Sequence, residues 1–252
     1  MKPEKISDAM GHIDDAIIEE TNGVRQNKSV KKRGWVKWAA CAACLALVLA
    51  VGIPMMNHQD GQIPLSGNSV GVTVKYTDNT LAVGGSPDLK FLTEDELFTY
   101  YNTAIFKGTV SQIKNIELDF NGELEYRAVA IIKVEEVYRG PCAVGDTVSV
   151  LLPGPFTEGV WVEDTETVSA MQAGSTGIFM PVIYDETSIW EQNGAKLAEK
   201  DIADYGFADG VRYAFVETAD GLVFDRGSYA SIANAASLEE IETYILSKIS
   251  TK

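Results

Sequence analysis

Residues that could act as a nucleophile or a general base are scarce in this chain. The sequence has 252 residues but only two histidines, His12 and His58. His58 lies in a polar segment that we expect to be mobile, and a mobile histidine is not a positioned base. The segment Gly174–Gly177 contains Ser175 but lacks the spacing of a nucleophile elbow, so it is more typical of a turn that enters a strand. The composition therefore favours a protein that is not an enzyme.

Metal and sugar sites are also weakly indicated. Four residues whose side-chain oxygens could bind calcium lie close together in the sequence: Asp119, Asn121, Glu123 and Glu125. Leu124 and Ala130, however, stand where an EF-hand loop needs glycine and a bidentate glutamate, so a hairpin tip is the simpler interpretation. Asp164 and Glu166 near Trp161 resemble a sugar-binding corner, although exposed acids are common in a chain with 36 of them. We predict no metal and no cofactor.

The longest apolar stretch runs from Trp38 to Met56 without a charged residue. As a helix its 19 residues would extend about 28 Å, which is close to the hydrocarbon thickness of a bilayer. Four positively charged residues precede this stretch: Lys31, Lys32, Arg33 and Lys37. Because positive charges favour the cytoplasmic side, they predict a cytoplasmic N-terminus. The sequence thus predicts a single-pass protein of the cell membrane. A cleaved signal peptide ending near Ala50, a buried soluble helix and a lipoprotein are the alternatives.

Cysteine and alanine within this run bear on metal binding and pairing. Cys41 and Cys44 have metal-site spacing, but ionised thiolates are costly in lipid and no third ligand is near. Small residues recur on two faces of the helix, on which two spans could associate as a homodimer: Ala39, Ala42, Ala43, Ala46 and Ala50. Gly52 and Pro54 weaken the outer end of the helix, which would suit proteolysis within the membrane, although no residue demands it.

Charge is distributed very unevenly along the chain. Residues 1–37 carry eight basic and six acidic groups, a net charge of +2, so the remaining residues carry −17 of the total −15. A domain this acidic would repel nucleic acid and anionic lipid, which argues against direct nucleic-acid binding. Beyond the span the only cysteine is Cys142, so no internal disulfide can form there and a packed core must provide the stability.

The first 20 residues predict an amphipathic helix. Its apolar positions recur at spacings of four, three and four: Ile6, Met10, Ile13 and Ile17. A segment of 37 residues cannot build its own core, so this stripe is expected to bind a partner. The alternatives are that the stripe lies on the membrane surface or that the segment is disordered.

This opening resembles the start of membrane-anchored anti-sigma-factor-like proteins of clostridial Gram-positive bacteria. The resemblance covers residues 5–20, the basic tether and the span, about the first fifth of the chain. It implies that the helix holds a sigma factor until an outside signal releases it, with the stripe as the binding surface. The zinc-binding class uses a cytoplasmic H-x-x-x-C-x-x-C motif, whereas here His12 stands alone.

Alternating apolar residues and turn signals predict a β-rich domain beyond a stalk at residues 57–69. We expect strands at 70–76, 104–111, 126–134, 147–152 and 173–180, with a hairpin turn at Asn121-Gly122 and a bulge at Glu135-Glu136. Capping boxes at Thr93–Glu96 and Ser237–Glu240 predict helices, the first running to about Asn102. A C-terminal hairpin and helix occupy 210–250, so the fold class is α+β.

Three segments are similar to the opening of netrin-like domains related to tissue inhibitors of metalloproteases. They are residues 104–110, 128–140 and 144–150, and residues 173–180 would be the later strand. The resemblance implies an OB-type five-stranded barrel over about 103–185. It does not imply an inhibitor, because the cysteine bridges and the N-terminal cysteine of those domains have no counterpart.

Two functions follow from these expectations. The first is an anti-sigma-factor-like regulator, in which the outer domain, residues 70–252, senses an envelope signal or an unknown extracellular ligand. The second is a membrane-anchored ligand-binding or adhesion module with no regulatory role.

Overall fold

The computed structural model describes residues 61–78, 89–156 and 165–250. The strands are β1 (Val72–Tyr76), β2 (Ile105–Phe120), β3 (Glu123–Arg139), β4 (Thr147–Leu152), β5 (Thr176–Phe179), β6 (Val182–Ile183), β7 (Ile189–Gln192), β8 (Ala195–Ala198), β9 (Tyr205–Gly206), β10 (Ala214–Thr218) and β11 (Gly221–Val223). The helices are α1 (Glu166–Ser169) and α2 (Leu238–Ile249), with 3₁₀ turns at Glu96–Phe98, Glu199–Asp201 and Ala230–Ile232.

The long hairpin of β2 and β3 organises the domain. Asn121 and Gly122 both have positive φ, 50° and 93°, which gives the primed turn that matches the twist of a hairpin. The predicted turn is therefore confirmed. Alternating apolar residues of both strands are buried, with Phe106 and Val110 in one core and Ile116 and Leu118 in a second core, and this burial drives the pairing over the full length of the hairpin.

Three bulges bend this hairpin. The pairing register shifts at Ser111, Glu135 and Tyr138. Each of these residues is an extra residue with no partner on the opposite strand in the β2–β3 register. The shift at Glu135 confirms the bulge predicted at Glu135-Glu136. Extra residues increase the local twist and curvature of a strand, so the sheet curls into a half-barrel.

The main sheet is predominantly antiparallel. Its strand order is β11-β10-β5-β2-β3-β4-β9-β6, with β1 paired to the far half of β2 and only β4 and β9 parallel. Two backbone bonds join the approach to β2 with the segment around β6: Ala104 N donates to Pro181 O (2.9 Å), and Ile183 N donates to Asn102 O (2.9 Å). The fold is thus α+β, with mainly antiparallel strands and few helices, as the sequence predicted.

Two apolar cores lie against this sheet. The larger core contains the inner faces of β2–β5 and β10, together with the buried side of α2, and includes Phe106, Phe179 and Phe215. The smaller core lies where β1 and the β7–β8 hairpin cover the far half of the β2–β3 hairpin, around Ile116 and Leu118. The β7–β8 hairpin therefore has an apolar base.

Helix α2 begins as predicted. The Ser237 hydroxyl accepts a hydrogen bond from Glu240 N (3.3 Å), which satisfies one of the free N–H groups of the first turn. Leu238, Ile241 and Ile245 are buried against the larger core. In the described part of the chain no helix has the length and apolar character needed to cross a bilayer; the span predicted at 38–56 lies outside that part.

The helix predicted from Thr93 to about Asn102 is wrong in its length. The capping box forms, since Thr93 N and Oγ1 both donate to the Glu96 carboxylate (2.7 and 2.8 Å). The turn ends at Phe98, because residues 102–104 are drawn into strand pairing with the β6 segment. Tertiary pairing here overrides the local helix signal.

The described residues of the predicted stalk, 61–69, pack against the domain. Ile63 N donates to Val74 O (2.8 Å), and the Ile63 and Leu65 side chains pack against the smaller core. We call residues 61–69 the entry segment. Its polar composition suggested a free linker, but its two apolar side chains cover β1, so the domain includes this segment.

Candidate ligand-binding cleft

One cleft of about 190 Å³ opens between the β3–β4 pair and the β7–β8 hairpin. It is lined by Arg127, Leu151, Leu152, Pro153, Tyr184, Trp190, Glu199 and Phe207. The lining combines an apolar wall with a few polar groups, as in small-molecule sites. A second hollow of about 200 Å³ is formed by the consecutive residues 191–196 of a single turn. No other element walls that hollow, so the first cleft is the stronger candidate, and we call it the Trp190 cleft.

Trp190 forms the aromatic floor of the Trp190 cleft. Its ring packs on Phe120 with the ring centroids 4.8 Å apart. The Arg127 guanidinium lies 5.0 Å from the centroid of the Trp190 ring. This distance is within the range of a cation–π interaction, which attracts the guanidinium to the ring.

Arg127 is held on β3 by contacts that use one end of its guanidinium. Nη1 donates to Tyr126 O (3.1 Å) and lies 3.3 Å from the Glu125 carboxylate. Glu125 in turn accepts a hydrogen bond from Gln192 Nε2 (3.2 Å), which fixes that carboxylate beside the hairpin. Burial lowers the pKa of Arg127 and the charge of Glu125 opposes that effect. The side chain remains a cation at every physiological pH.

Tyr184 and Glu199 form the opposite wall. Burial raises the pKa of the Glu199 carboxyl, and a hydrogen bond from the Tyr184 hydroxyl offsets part of this rise. Burial and the neighbouring Glu199 charge raise the pKa of Tyr184, so its hydroxyl stays protonated and serves as a donor. Tyr184 lies directly over the backbone of Gly206, where any β-carbon would overlap its ring. A glycine at 206 is therefore needed for this wall.

The β7–β8 hairpin that carries Trp190 is fixed at its tip. Asn193 and Gly194 have positive φ, 47° and 73°, and form a primed turn. Asn193 Nδ2 donates to Phe120 O (3.0 Å), and Asn121 Nδ2 donates to Asn193 O (3.2 Å). The tips of the two hairpins are thus bonded to each other, which holds one wall of the Trp190 cleft relative to the other.

The entry segment is bonded to the same region. Asp201 Oδ2 accepts from Ser66 N (2.9 Å), Ser66 Oγ (2.9 Å) and Ser69 Oγ (2.6 Å). Burial alone would raise the pKa of Asp201, but these hydrogen bonds outweigh it and lower the pKa. Asp201 follows the cleft residue Glu199 by two positions in one 3₁₀ turn. The entry segment is therefore attached directly to a cleft wall.

Chemically, the Trp190 cleft is equipped to bind. It offers one fixed cation, Arg127, one partly buried acceptor carboxylate, Glu199, and flat aromatic surfaces. Within the described ranges, no group of three or more His, Cys, Asp or Glu side chains could hold a metal ion. We assign no reaction to it.

None of the described residues that the sequence predicted as site residues lines the Trp190 cleft. The partner-binding stripe and the topology-determining cations lie outside the described residues: Ile6, Met10, Ile13, Ile17, Lys31, Lys32, Arg33 and Lys37. His58, Asp164 and Trp161 do as well, while Glu166 begins α1. Ser175 lies in the turn before β5, where its hydroxyl accepts from Gln172 N (3.1 Å). Of the calcium candidates, Asp119 accepts from Gly122 N (2.5 Å) at the hairpin tip.

The sequence predictions missed every residue of the Trp190 cleft. Asn193-Gly194 between short apolar runs is a standard hairpin signal and could have located β7 and β8. Nothing in the sequence brings Arg127 to Trp190, because the two residues are far apart along the chain and meet only in the folded hairpins. Comparison of the chain with protein-family models, curated proteins and solved structures found no match.

Proposed function

We propose that the domain is an OB-type barrel. Such a barrel has five strands in the order 1-2-3-5-4-1, with strands 3 and 5 parallel. The order β2-β3-β4-β9-β6 fits this pattern, because β4 and β9 are parallel and the β5–β6 segment bonds back to the approach to β2. Helix α1 lies between β4 and β5, where OB domains carry a helix. The missing cysteines still argue against an inhibitor.

We propose that the chain is a membrane-anchored protein whose outer domain binds a small ligand in the Trp190 cleft. One observation carries the proposal: the cleft lies on the face of the second and third barrel strands, beside the loop before the fifth strand, and this is where OB domains bind their ligands. The half-buried tryptophan and arginine within the cleft add affinity for a flat polar ligand.

The test uses the full chain in detergent micelles. A thermal-shift screen against sugars, amino acids, short peptides and nucleotides should find one class that raises the Tm. Pro153 lines the cleft and is only partly buried, so the larger side chain in Pro153→Trp should occupy the cleft and abolish that rise. An equal rise in both proteins, or no rise for any class, contradicts the proposal.

The anchoring itself is part of the proposal. It is supported by the uncharged run 38–56 and by the cations that precede it. An impermeant amine reagent applied to intact cells should label Lys75 and leave Lys2 unlabelled. Labelling of Lys2, or recovery of the full-length chain in the soluble fraction, contradicts it.

A regulatory role is the second candidate function. It is favoured by the apolar stripe of residues 6–17, which lacks a core on its own side of the membrane. The full chain should retain a sigma factor in a pull-down. Replacing Ile13 and Ile17 with Asp should release that factor, whereas Asp15→Asn on the polar face should not. If no sigma factor is retained, the ligand-binding function stands without regulation.

A further inference from the structure

We infer that the Trp190 cleft takes a small ligand with a carboxylate group, which Arg127 binds through the free side of its guanidinium, and with N–H or O–H donors that face Glu199. This inference rests on the proposed ligand-binding function and names the chemistry of the ligand. Four observations carry it: the free donors of Arg127, the charge of the surroundings, the opposite wall and the size of the cleft.

Among the described residues, part of the Arg127 guanidinium has no hydrogen-bond partner. Its Nη1 makes the contacts with Tyr126 and Glu125, while Nε and Nη2 make no hydrogen bond to any residue in the described part of the chain. About a quarter of the side chain is exposed, and it lines the cleft. A guanidinium presents two parallel N–H groups that match the two oxygens of a carboxylate. The free pair of donors therefore fits that group.

The electrostatic setting selects a single negative charge. Among the described residues that line the cleft, Arg127 is the one cation, whereas Glu199 and the adjacent Glu125 are acidic. A phosphate carrying up to two charges would meet one cation and two carboxylates, with no lysine among the lining residues to add attraction. A carboxylate places one charge on Arg127 and keeps the remaining ligand atoms free to be neutral or donating.

The opposite wall accepts hydrogen bonds. The Glu199 carboxylate has the Tyr184 hydroxyl as its side-chain donor, and a carboxylate has room for further donors. Arg127, Tyr184 and Glu199 all line the same cleft. A ligand that carries its carboxylate at one end and N–H or O–H groups at the other satisfies both ends.

The volume limits the size of the ligand. About 190 Å³ corresponds to roughly six water molecules at their liquid volume, which is less than a drug-sized pocket. One amino-acid residue at the carboxyl end of a peptide, or one sugar acid, is of this size. The two sources share the same chemistry, and the experiment separates them.

The test is calorimetry on the full chain in detergent micelles with four probes. The carboxylates are the dipeptide Ala-Ala and glucuronate, and the matched neutral compounds are Ala-Ala amide and glucose. We expect one carboxylate to bind and its neutral partner to bind at least about tenfold more weakly, the loss expected for one charge-assisted hydrogen bond. Binding of Ala-Ala identifies a peptide terminus, and binding of glucuronate identifies a sugar acid.

Variants report whether Arg127 is the group responsible. Arg127→Lys keeps the charge but loses the paired donors, so it should weaken binding about tenfold or more. Glu125→Gln removes the competing negative charge and keeps an acceptor oxygen for Gln192 and Arg127, so binding should become tighter. A merely structural role for Arg127 would not produce this opposite pair of effects. The Tm of each variant checks that it folds.

Three results would overturn the inference. They are equal binding of a carboxylate and its neutral partner, wild-type affinity in Arg127→Lys, and failure of both carboxylates to bind. If a neutral compound binds and Pro153→Trp blocks it, the proposed ligand-binding function survives and only the carboxylate chemistry fails. If no compound binds the wild-type chain, both fail.

Discussion

Gly206 is the residue on which the geometry of the cleft wall depends most directly. A β-carbon there would overlap the Tyr184 hydroxyl and ring, so Gly206→Ala should displace Tyr184 from Glu199. Overpacking of this kind costs about 1–3 kcal/mol. We expect the Tm of Gly206→Ala to fall by about 2–4 °C per kcal/mol. Gly67→Ala is the control, since a β-carbon at Gly67 meets no atom within 4 Å; equal Tm values for the two variants would contradict the assignment.

Glu199 should make stability depend on pH. Burial raises the pKa of Glu199 in the folded state, because the folded chain favours the protonated carboxyl. The stability that this carboxyl contributes is fully present below the unfolded pKa of about 4.3 and is lost as the pH rises through the folded pKa. Glu199→Gln removes the buried charge and keeps an oxygen for the Tyr184 hydroxyl. The variant should have a higher Tm than the wild type at pH 7, with a smaller difference at pH 4. A lower Tm at pH 7 would show that the ionised form is stabilised by the fold.

At the scale of elements, the entry segment is held to the domain by one carboxylate. The hydrogen bonds of Asp201 to Ser66 and Ser69 are charge-assisted but partly exposed, so Asp201→Asn should cost about 1 kcal/mol. Hydrogen exchange should speed up in residues 66–70 of that variant. Because the folded pKa of Asp201 is lowered, the difference should be present above about pH 4 and disappear as the pH falls through the folded pKa. Asp220→Asn at an exposed turn is the control. Equal hydrogen exchange of residues 66–70 in Asp201→Asn and Asp220→Asn would contradict the role of Asp201 in holding the entry segment.

The elements that sequence predicted well are those with long periodic patterns or strong turns. Strand β4, the Asn121-Gly122 hairpin and the cap of α2 all follow from local residues. Strand β9 could not be predicted, because two residues carry no period and Tyr205-Gly206 becomes a strand only between β4 and β6. The Trp190 cleft could not be predicted for the same reason: its walls meet through long-range packing.

At the scale of the whole molecule, the unbalanced charge should affect stability. The residues after 37 carry a net charge of −17, and like charges repel most in the compact state. Raising NaCl from 0.01 to 1 M shortens the screening length from about 30 to about 3 Å. The Tm at pH 7 should rise by about 2–5 °C, as measured by calorimetry. An uncharged osmolyte of equal osmolality separates screening from exclusion effects; a Tm that falls with salt would mean that attractive ion pairs dominate.

The way the entry segment is attached determines the order in which mechanical tension would reach the domain. A load applied at residue 61 is first borne by the hydrogen bond between Tyr76 N and Gly61 O, and then by the hydrogen bond between Ile63 N and Val74 O. The hydrogen bonds of Ser66 to Asp201 bear it next. These hydrogen bonds would break one after another and not together. The segment would therefore lengthen and dissipate force while the main sheet stays folded, and the first part of the domain beyond the segment and β1 to bear the load would be the turn that carries Glu199.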